Sequence, residues 1–299
     1  MSAIAENGDG PQQVIQVLFA LFPDFGTLDF TGPLEVFNYA QHDPKNPTSK
    51  AFETTICGPS PTLTSSHGLQ IRTDISYETA HEDIGEYDIL VVVGGIKGAN
   101  KILEAKKPSE LEPIKLIQAF ARLQEEDPRK ERSILGVCTG SLLLAQAGIL
   151  QGLSATTHPE YAITMEIICQ RQSLAGSGEH TTVMEQERYV VNNARFDLGE
   201  NINENPFVLS KRPDGRRKSL ARKGSNAWQE SVKRRESIIK RAAMKLGGLR
   251  VITSGGVMSG VDASLYLVAA MVSHESATEI ARVLEYAWQK GTTVEGVDV

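Results

Sequence analysis

Gly136-Val137-Cys138-Thr139-Gly140 is a run whose residue types and spacing suit covalent catalysis. The apolar stretch Ser133–Gly136 leads into it, and an Ala/Leu-rich helical pattern reaching Ala147 leaves it. This is the layout of a nucleophile elbow, in which Gly-x-Nuc-x-Gly lets a strand reverse so sharply into a helix that the central residue sits strained and exposed. Side chains at either glycine would clash with the turn. A thiol placed there would meet the unpaired N–H groups and positive dipole end of the helix, which lower its pKa and favour thiolate. A buried structural cysteine is the competing reading. A second chemical group, Asp29, lies in Leu28-Asp29-Phe30-Thr31-Gly32-Pro33, after the first strand pattern and before a helix predicted around Leu34–Ala40. In open α/β sheets sites collect at that end of the strands, although an aspartate there also serves to cap a helix.

Two further features are candidates to join this pair. Gly94-Gly95, closing the apolar run Tyr87–Val93, offers backbone N–H groups to an anion or oxyanion. Its glycine spacing matches neither GxGxxG nor a Walker A loop, so a phosphate fingerprint is set aside. His158, about twenty residues after Cys138, is either a base for the thiol or a histidine that merely starts a helix. His67 and His81 sit in loop-like surroundings and read as solvated.

The elements that must position these groups are legible as alternating strand and helix patterns. Val14–Phe22, Ala51–Gly58, Tyr87–Gly95, the elbow strand, Arg188–Asn192 and Leu249–Thr253 read as strands, several apolar throughout as in sheets covered on both faces. Helices are predicted over Leu111–Glu126, Glu160–Gln170, Met258–Val272 and Ser276–Gln289. The alternation implies a doubly wound, mostly parallel α/β sandwich. Cys138 and Asp29 would meet at its carboxyl edge, with His158 and Gly94–Gly95 as further candidates.

The 299-residue chain has 40% hydrophobic and 23% charged residues, the balance of an ordinary globular protein. No run of about 18 apolar residues is present, which argues against a membrane helix. The first thirteen residues are polar and read as a flexible tail without the regions of a signal peptide. Three widely spaced cysteines, Cys57, Cys138 and Cys169, argue against a disulfide framework or a zinc site and for a reducing, cytoplasmic setting.

One stretch departs from this pattern. Residues 211–245 hold thirteen Lys/Arg against three Asp/Glu, a net +10 in a chain of net −6, so the remainder carries −16. A long basic helix is predicted over Asn226–Leu246, with Trp228, Val232, Ile238, Ile239, Ala242 and Leu246 forming a narrow apolar stripe. Such a run reads as a solvated face, or as a segment docked on the acidic remainder of its own or a neighbouring subunit. Without a base-reading motif, nucleic acid is not the expected partner.

Taken together, Leu28–Phe37, Val93-Gly94-Gly95, Gly136–Ser141 with Ala147-Gly148, Ala155-Thr156-Thr157-His158 and Thr253–Asp262 resemble the ThiJ/PfpI superfamily, and within it the isonitrile hydratase branch. The resemblance spans roughly Val14–Arg195 and Leu249–Ala287. It implies a flavodoxin-like sandwich, usually dimeric, in which Cys138 is the nucleophile, Asp29 its acidic partner, and Thr139 lines the site with hydroxyl and amide. It also implies one domain over 14–291, interrupted by the basic insertion at about 199–247. The expected reaction is hydration of a small isonitrile to an N-substituted formamide, with no metal or organic cofactor. The alternatives are glyoxalase- or deglycase-like action on 2-oxoaldehydes, where His158 would matter more, and a non-enzymatic role as an oxidation sensor or chaperone. Related sensor domains of transcription regulators carry a helix-turn-helix module, and no tail long enough for one is evident here.

Overall fold

The computed structural model describes residues 13–176, 178–193 and 244–294. The expected tail lies outside these residues apart from position 13, and so does the basic insertion apart from its last residues. There Met244 is extended and Lys245–Gly248 form a 3-10 turn with Leu246 at φ 55, so the helix predicted to run to Leu246 does not reach it.

The first strand, β1 (Ile15–Ala20), is followed by helix α1 (Thr27–Tyr39) and strand β2 (Phe52–Gly58). A small hairpin of β3 (Thr62–Thr64) and β4 (Gln70–Arg72) precedes β5 (Ile75–Ser76) and α2 (Tyr77–Glu82). Then come β6 (Ile89–Val92), α3 (Ile96–Leu103), α4 (Ile114–Glu126), the elbow strand β7 (Ser133–Gly136) and α5 (Gly140–Gln146). After β8 (Ser154–Ala155), α6 (Ala162–Ala175) and β9 (Thr182–Val183), the sheet resumes with β10 (Tyr189–Asn192) and β11 (Arg250–Ser254). Helices α7 (Met258–Met271) and α8 (His274–Val283) and strand β12 (Thr292–Val294) close the described chain.

Eight strands form one sheet in the order β12-β10-β11-β7-β6-β1-β2-β5. Its pairs are parallel except β10 with β11, which run antiparallel with Val190 opposite Thr253. The mostly parallel α/β architecture is therefore present, with two reversed strands at one margin. The central strands β6 and β7 are buried at every position, as a sheet covered on both faces demands. From β1 the chain moves to β2 on one side and then returns to lay β6 on the other. Loops following β1 and β6 meet at this switch, on the carboxyl edge where sites of such sheets collect.

Two helix boundaries differ from the sequence pattern. Helix α1 begins at Thr27, not near Leu34, so Asp29 lies in its first turn rather than ahead of it. Pro33 sits inside the helix. Its missing N–H removes only the bond to the Asp29 carbonyl, a tolerable loss near the first turn. At the other end, α8 stops at Val283, and Glu285 turns left-handed at φ 49, where a helix to Gln289 was expected. The cause is tertiary. Buried Asp262 on α7 accepts from the Gln289 N–H at 2.8 Å, its carbonyl accepts from Trp288 Nε1 at 3.2 Å, and Arg188 Nε donates to its carboxylate at 2.7 Å.

Candidate active site

The elbow is built as its glycines require. Cys138 has φ 55, a left-handed backbone rare for a residue with a side chain. A Cβ on Gly140 would lie 2.3 Å from the Val92 carbonyl oxygen, and one on Gly136 2.9 Å from Ser141 Cα. Strand β7 thus turns into α5 flush against the end of β6. The turn is tied by Val137 N–H to Val92 O at 2.9 Å and Gly140 N–H to Val137 O at 2.7 Å.

Cys138 meets Asp29 across the sheet edge. Each is 3% exposed, and thiol and carboxyl share a hydrogen bond. Burial raises the Asp29 carboxyl to about 6, with the bond to Cys138 pulling the other way. Asp29 Oδ1 is buried with no hydrogen-bond partner, so this side chain is not capping α1, whose Gly26 cap receives no side-chain bond. Gly26 and Gly94 wall the carboxyl in. Gly26 N–H donates to the Gly94 carbonyl at 2.8 Å, and a Cβ on Gly94 would come within 2.5 Å of Asp29 Oδ2 and 2.9 Å of Cys138 Cβ.

Helix α5 does not depress the thiol as its position suggested. Burial and then the Asp29 charge raise Cys138 to about 12, while hydrogen bonds from the Thr139 amide and hydroxyl act in the opposite direction. A seven-residue helix contributes too little dipole to outweigh a desolvated neighbouring carboxylate. The resting pair therefore shares one proton between two acids and titrates as a unit.

The remaining candidates occupy different places. Thr139 is fully buried beside Cys138, and its Oγ1 accepts from the Gly95 N–H at 2.9 Å. That amide is thereby engaged in fixing Thr139. His158 is half-buried on the turn before α6: its Nδ1 accepts from the Glu160 N–H at 3.3 Å, and its ring stands edge-on to Tyr161 with centroids 6.0 Å apart. Asn100 Nδ2 reaches Tyr161 Oη at 3.3 Å, which joins α3 to that turn. Of the two histidines read as solvated, His67 is exposed, whereas His81 lies on α2 with Nε2 2.9 Å from Glu112 Oε1.

Thr157 escaped the sequence reading as a site residue. Its Oγ1 donates to the Cys138 carbonyl at 2.9 Å from a position 4% exposed. The only signal was its place in the Ala155–His158 run, where attention falls on the histidine. Among the described residues no group of three or more His, Cys, Asp or Glu side chains could hold a metal ion, and no helix is long and apolar enough to cross a membrane.

Residues 15–195 match the sequence profile of the DJ-1/PfpI family. An isonitrile hydratase of Pseudomonas putida is 33% identical over 147 residues, covering 49% of this chain and 54% of that protein. A Parkinson disease protein 7 homolog of Danio rerio is 32% identical over 94 residues, 31% of this chain and 43% of that one. The matches thus span about half the length of these relatives. In three dimensions, a ThiJ/PfpI family protein from Pseudomonas syringae superposes with a TM-score of 0.53 at 19% identity, covering 95% of this chain and 83% of the other.

Proposed function

The chain belongs to the DJ-1/PfpI family, and from that premise we propose that it is a cysteine-dependent hydratase converting an isonitrile into an N-substituted formamide. The observation that carries the reading is the buried carboxyl of Asp29 hydrogen-bonded to the thiol of Cys138. An isonitrile carbon must receive both a nucleophile and a proton, and this pair holds one of each at adjacent atoms. Near neutral pH it consists of a thiol and a carboxylate, since Asp29 titrates at about 6 and Cys138 far above.

In the first step Asp29 takes the thiol proton as Sγ attacks the terminal carbon of R–N≡C. The same proton passes to that carbon, giving the thioimidate R–N=CH–S–Cys138 and regenerating the carboxylate. Water then adds to the thioimidate carbon with Asp29 as base, and buried Oδ1, without a protein partner, is the acceptor suited to hold that water. The nitrogen is protonated, the tetrahedral adduct expels Cys138 Sγ, and R–NH–CHO leaves. The sum is isonitrile plus one water, with no metal or organic cofactor called upon. Thr139 would line the site with amide and hydroxyl, and Gly94 and Gly95 with backbone.

We further propose a homodimer in a reducing, cytoplasmic compartment. Its single domain over 14–291 would be interrupted at about 199–247, and neither a membrane nor nucleic acid would be its partner. All three cysteines are free and buried, which suits that setting.

Incubation with an aryl isonitrile, following formamide, and separately with methylglyoxal, following lactate, tests the reaction. Formamide alone is expected, and lactate alone would overturn the assignment. Replacement of His158 by Asn is expected to cost far less isonitrile turnover than replacement of Asp29.

A further inference from the structure

We propose that Thr157 is a positioning residue for the nucleophile, its hydroxyl pinning the Cys138 carbonyl so that a left-handed backbone keeps the thiol against Asp29. This deepens the reading above, since it takes Cys138 to be the reacting group. A residue with a side chain persists at φ 55 only where its surroundings over-determine it. Most hydrogen bonds of this turn come from within the elbow or from β6 beneath it. The Cys138 carbonyl itself accepts from Ser141 N–H, three residues on, at 3.2 Å. The bond from Thr157 Oγ1 is shorter, at 2.9 Å, and comes from a different part of the fold.

That part is itself fixed. The N–H of neighbouring Thr156 donates to Thr253 Oγ1 on β11 at 2.9 Å, and both groups are buried. The hydroxyl of Thr157 is therefore delivered from a segment tied to the sheet two strands from β6. On the opposite side, Gly95 N–H holds Thr139 Oγ1 at 2.9 Å. The carbonyl of Cys138 and the side chain of Thr139 are thus each tied to a separate part of the fold, which holds the strained backbone that aims Sγ at the carboxyl. Thr157 touches no reacting atom, so its effect passes through the backbone of Cys138.

Thr157→Val keeps the shape and removes the donor, and the Cys138 carbonyl retains its bond from Ser141 N–H, so the variant is expected to fold. The readout is the rate at which iodoacetamide alkylates Cys138, followed by peptide mass mapping so that Cys57 and Cys169 are scored separately. The net worth of one buried neutral hydrogen bond corresponds to roughly five- to tenfold, and alkylation is expected to speed up by about that factor in Thr157→Val, because the loosened thiol escapes the burial and the Asp29 charge that disfavour its thiolate. Thr157→Ser, which restores the hydroxyl alone, is expected to react within about twofold of wild type, and isonitrile turnover should fall in Thr157→Val and recover in Thr157→Ser. Should Thr157→Val not fold, Thr157→Ala takes its place against Thr157→Ser. An Ala or Val variant alkylated within about twofold of wild type, or more slowly, overturns the proposal, as does a Ser variant as fast as Val. The alkylation arm needs no isonitrile. Hydroxyl-dependent alkylation without hydration would sink the proposed reaction and leave the positioning role standing, and hydration with alkylation indifferent to residue 157 would do the reverse.

Discussion

Replacing Asp29 by Asn should make the protein more stable and nearly inactive, and the two effects have one cause. Burial lifts the Asp29 carboxyl from 3.8 to about 6, so the native state holds that proton more tightly than the unfolded chain does. Below about pH 4 both states are protonated and the residue imposes no penalty. Between 4 and 6 the unfolded chain releases the proton first, and above 6 the native state carries a desolvated carboxylate. At about 1.4 kcal/mol per pH unit, the penalty at pH 8 amounts to about 3 kcal/mol. At 3% exposure there is little solvent to screen it. Asparagine keeps the shape without the charge. Thermal melts at pH 8 should therefore place Asp29→Asn up to about 10 °C above wild type, most of the gap closing by pH 4. In the same variant kcat/KM should fall at least about a hundredfold, the usual share of a general acid–base group. Wild-type turnover should also decline as pH drops through about 6, where the pair gains a second proton and loses its base. An Asn variant melting at or below wild type at pH 8, or an offset independent of pH, would refute the reasoning.

Other substitutions probe neighbouring parts of the argument. Cys138→Ser should abolish turnover with little change in melting temperature, whereas Cys57→Ser, at a fully buried position on β2, should keep activity and lose some stability; retained turnover in the first would end the covalent mechanism. Gly94→Ala would drive a methyl to 2.5 Å from Asp29 Oδ2 and 2.7 Å from the Val137 carbonyl oxygen, so turnover should collapse, at a stability cost of about 1–3 kcal/mol by chemical denaturation. Excising residues 194–243 with a short Gly/Ser bridge should leave the core folded and Cys138 alkylated at its usual rate, because Asn193 Nδ2 already lies 3.2 Å from the Lys245 carbonyl oxygen. Loss of the cooperative melting transition would count against that last expectation.

What could be read in the sequence is what local chemistry dictates. The glycines at 136 and 140 announce the elbow because no other residue fits that turn, and the uniformly apolar strands announce a sheet covered on both sides. The register of Asp29 was less legible. The sequence pattern starts the helix near Leu34, yet the helix takes in Pro33 because the bond it deletes lies one turn from the end. The thiol's acidity was misread for a similar reason: a helix end is visible in sequence, whereas burial and an aspartate 109 positions away are not. The pairing of His81 with Glu112 and the end of α8 at Val283 likewise depend on partners far along the chain.

The described chain beyond residue 195, where the family match ends, is nonetheless part of the site's frame. Residue Val137, just before Cys138, packs on Gly260 of α7 so closely that a Cβ there would lie 2.6 Å from its Cγ1. Val261 presses in the same way on Gly32 of α1, one turn from Asp29. Helix α7 therefore packs against the segments that carry Cys138 and Asp29. It is held by the ion pair of Arg188, which precedes the 194–243 segment, with Asp262, which follows it. A buried carboxylate with no cation would be costly, so this pair couples the two stretches into one folding unit. Strand β11 adds the same coupling through the sheet, pairing with β7 on one side and β10 on the other. Strands β10 and β11 are each fixed by neighbours other than the connection between them. Cys138, Asp29 and the helix behind them are held by the sheet and by that ion pair.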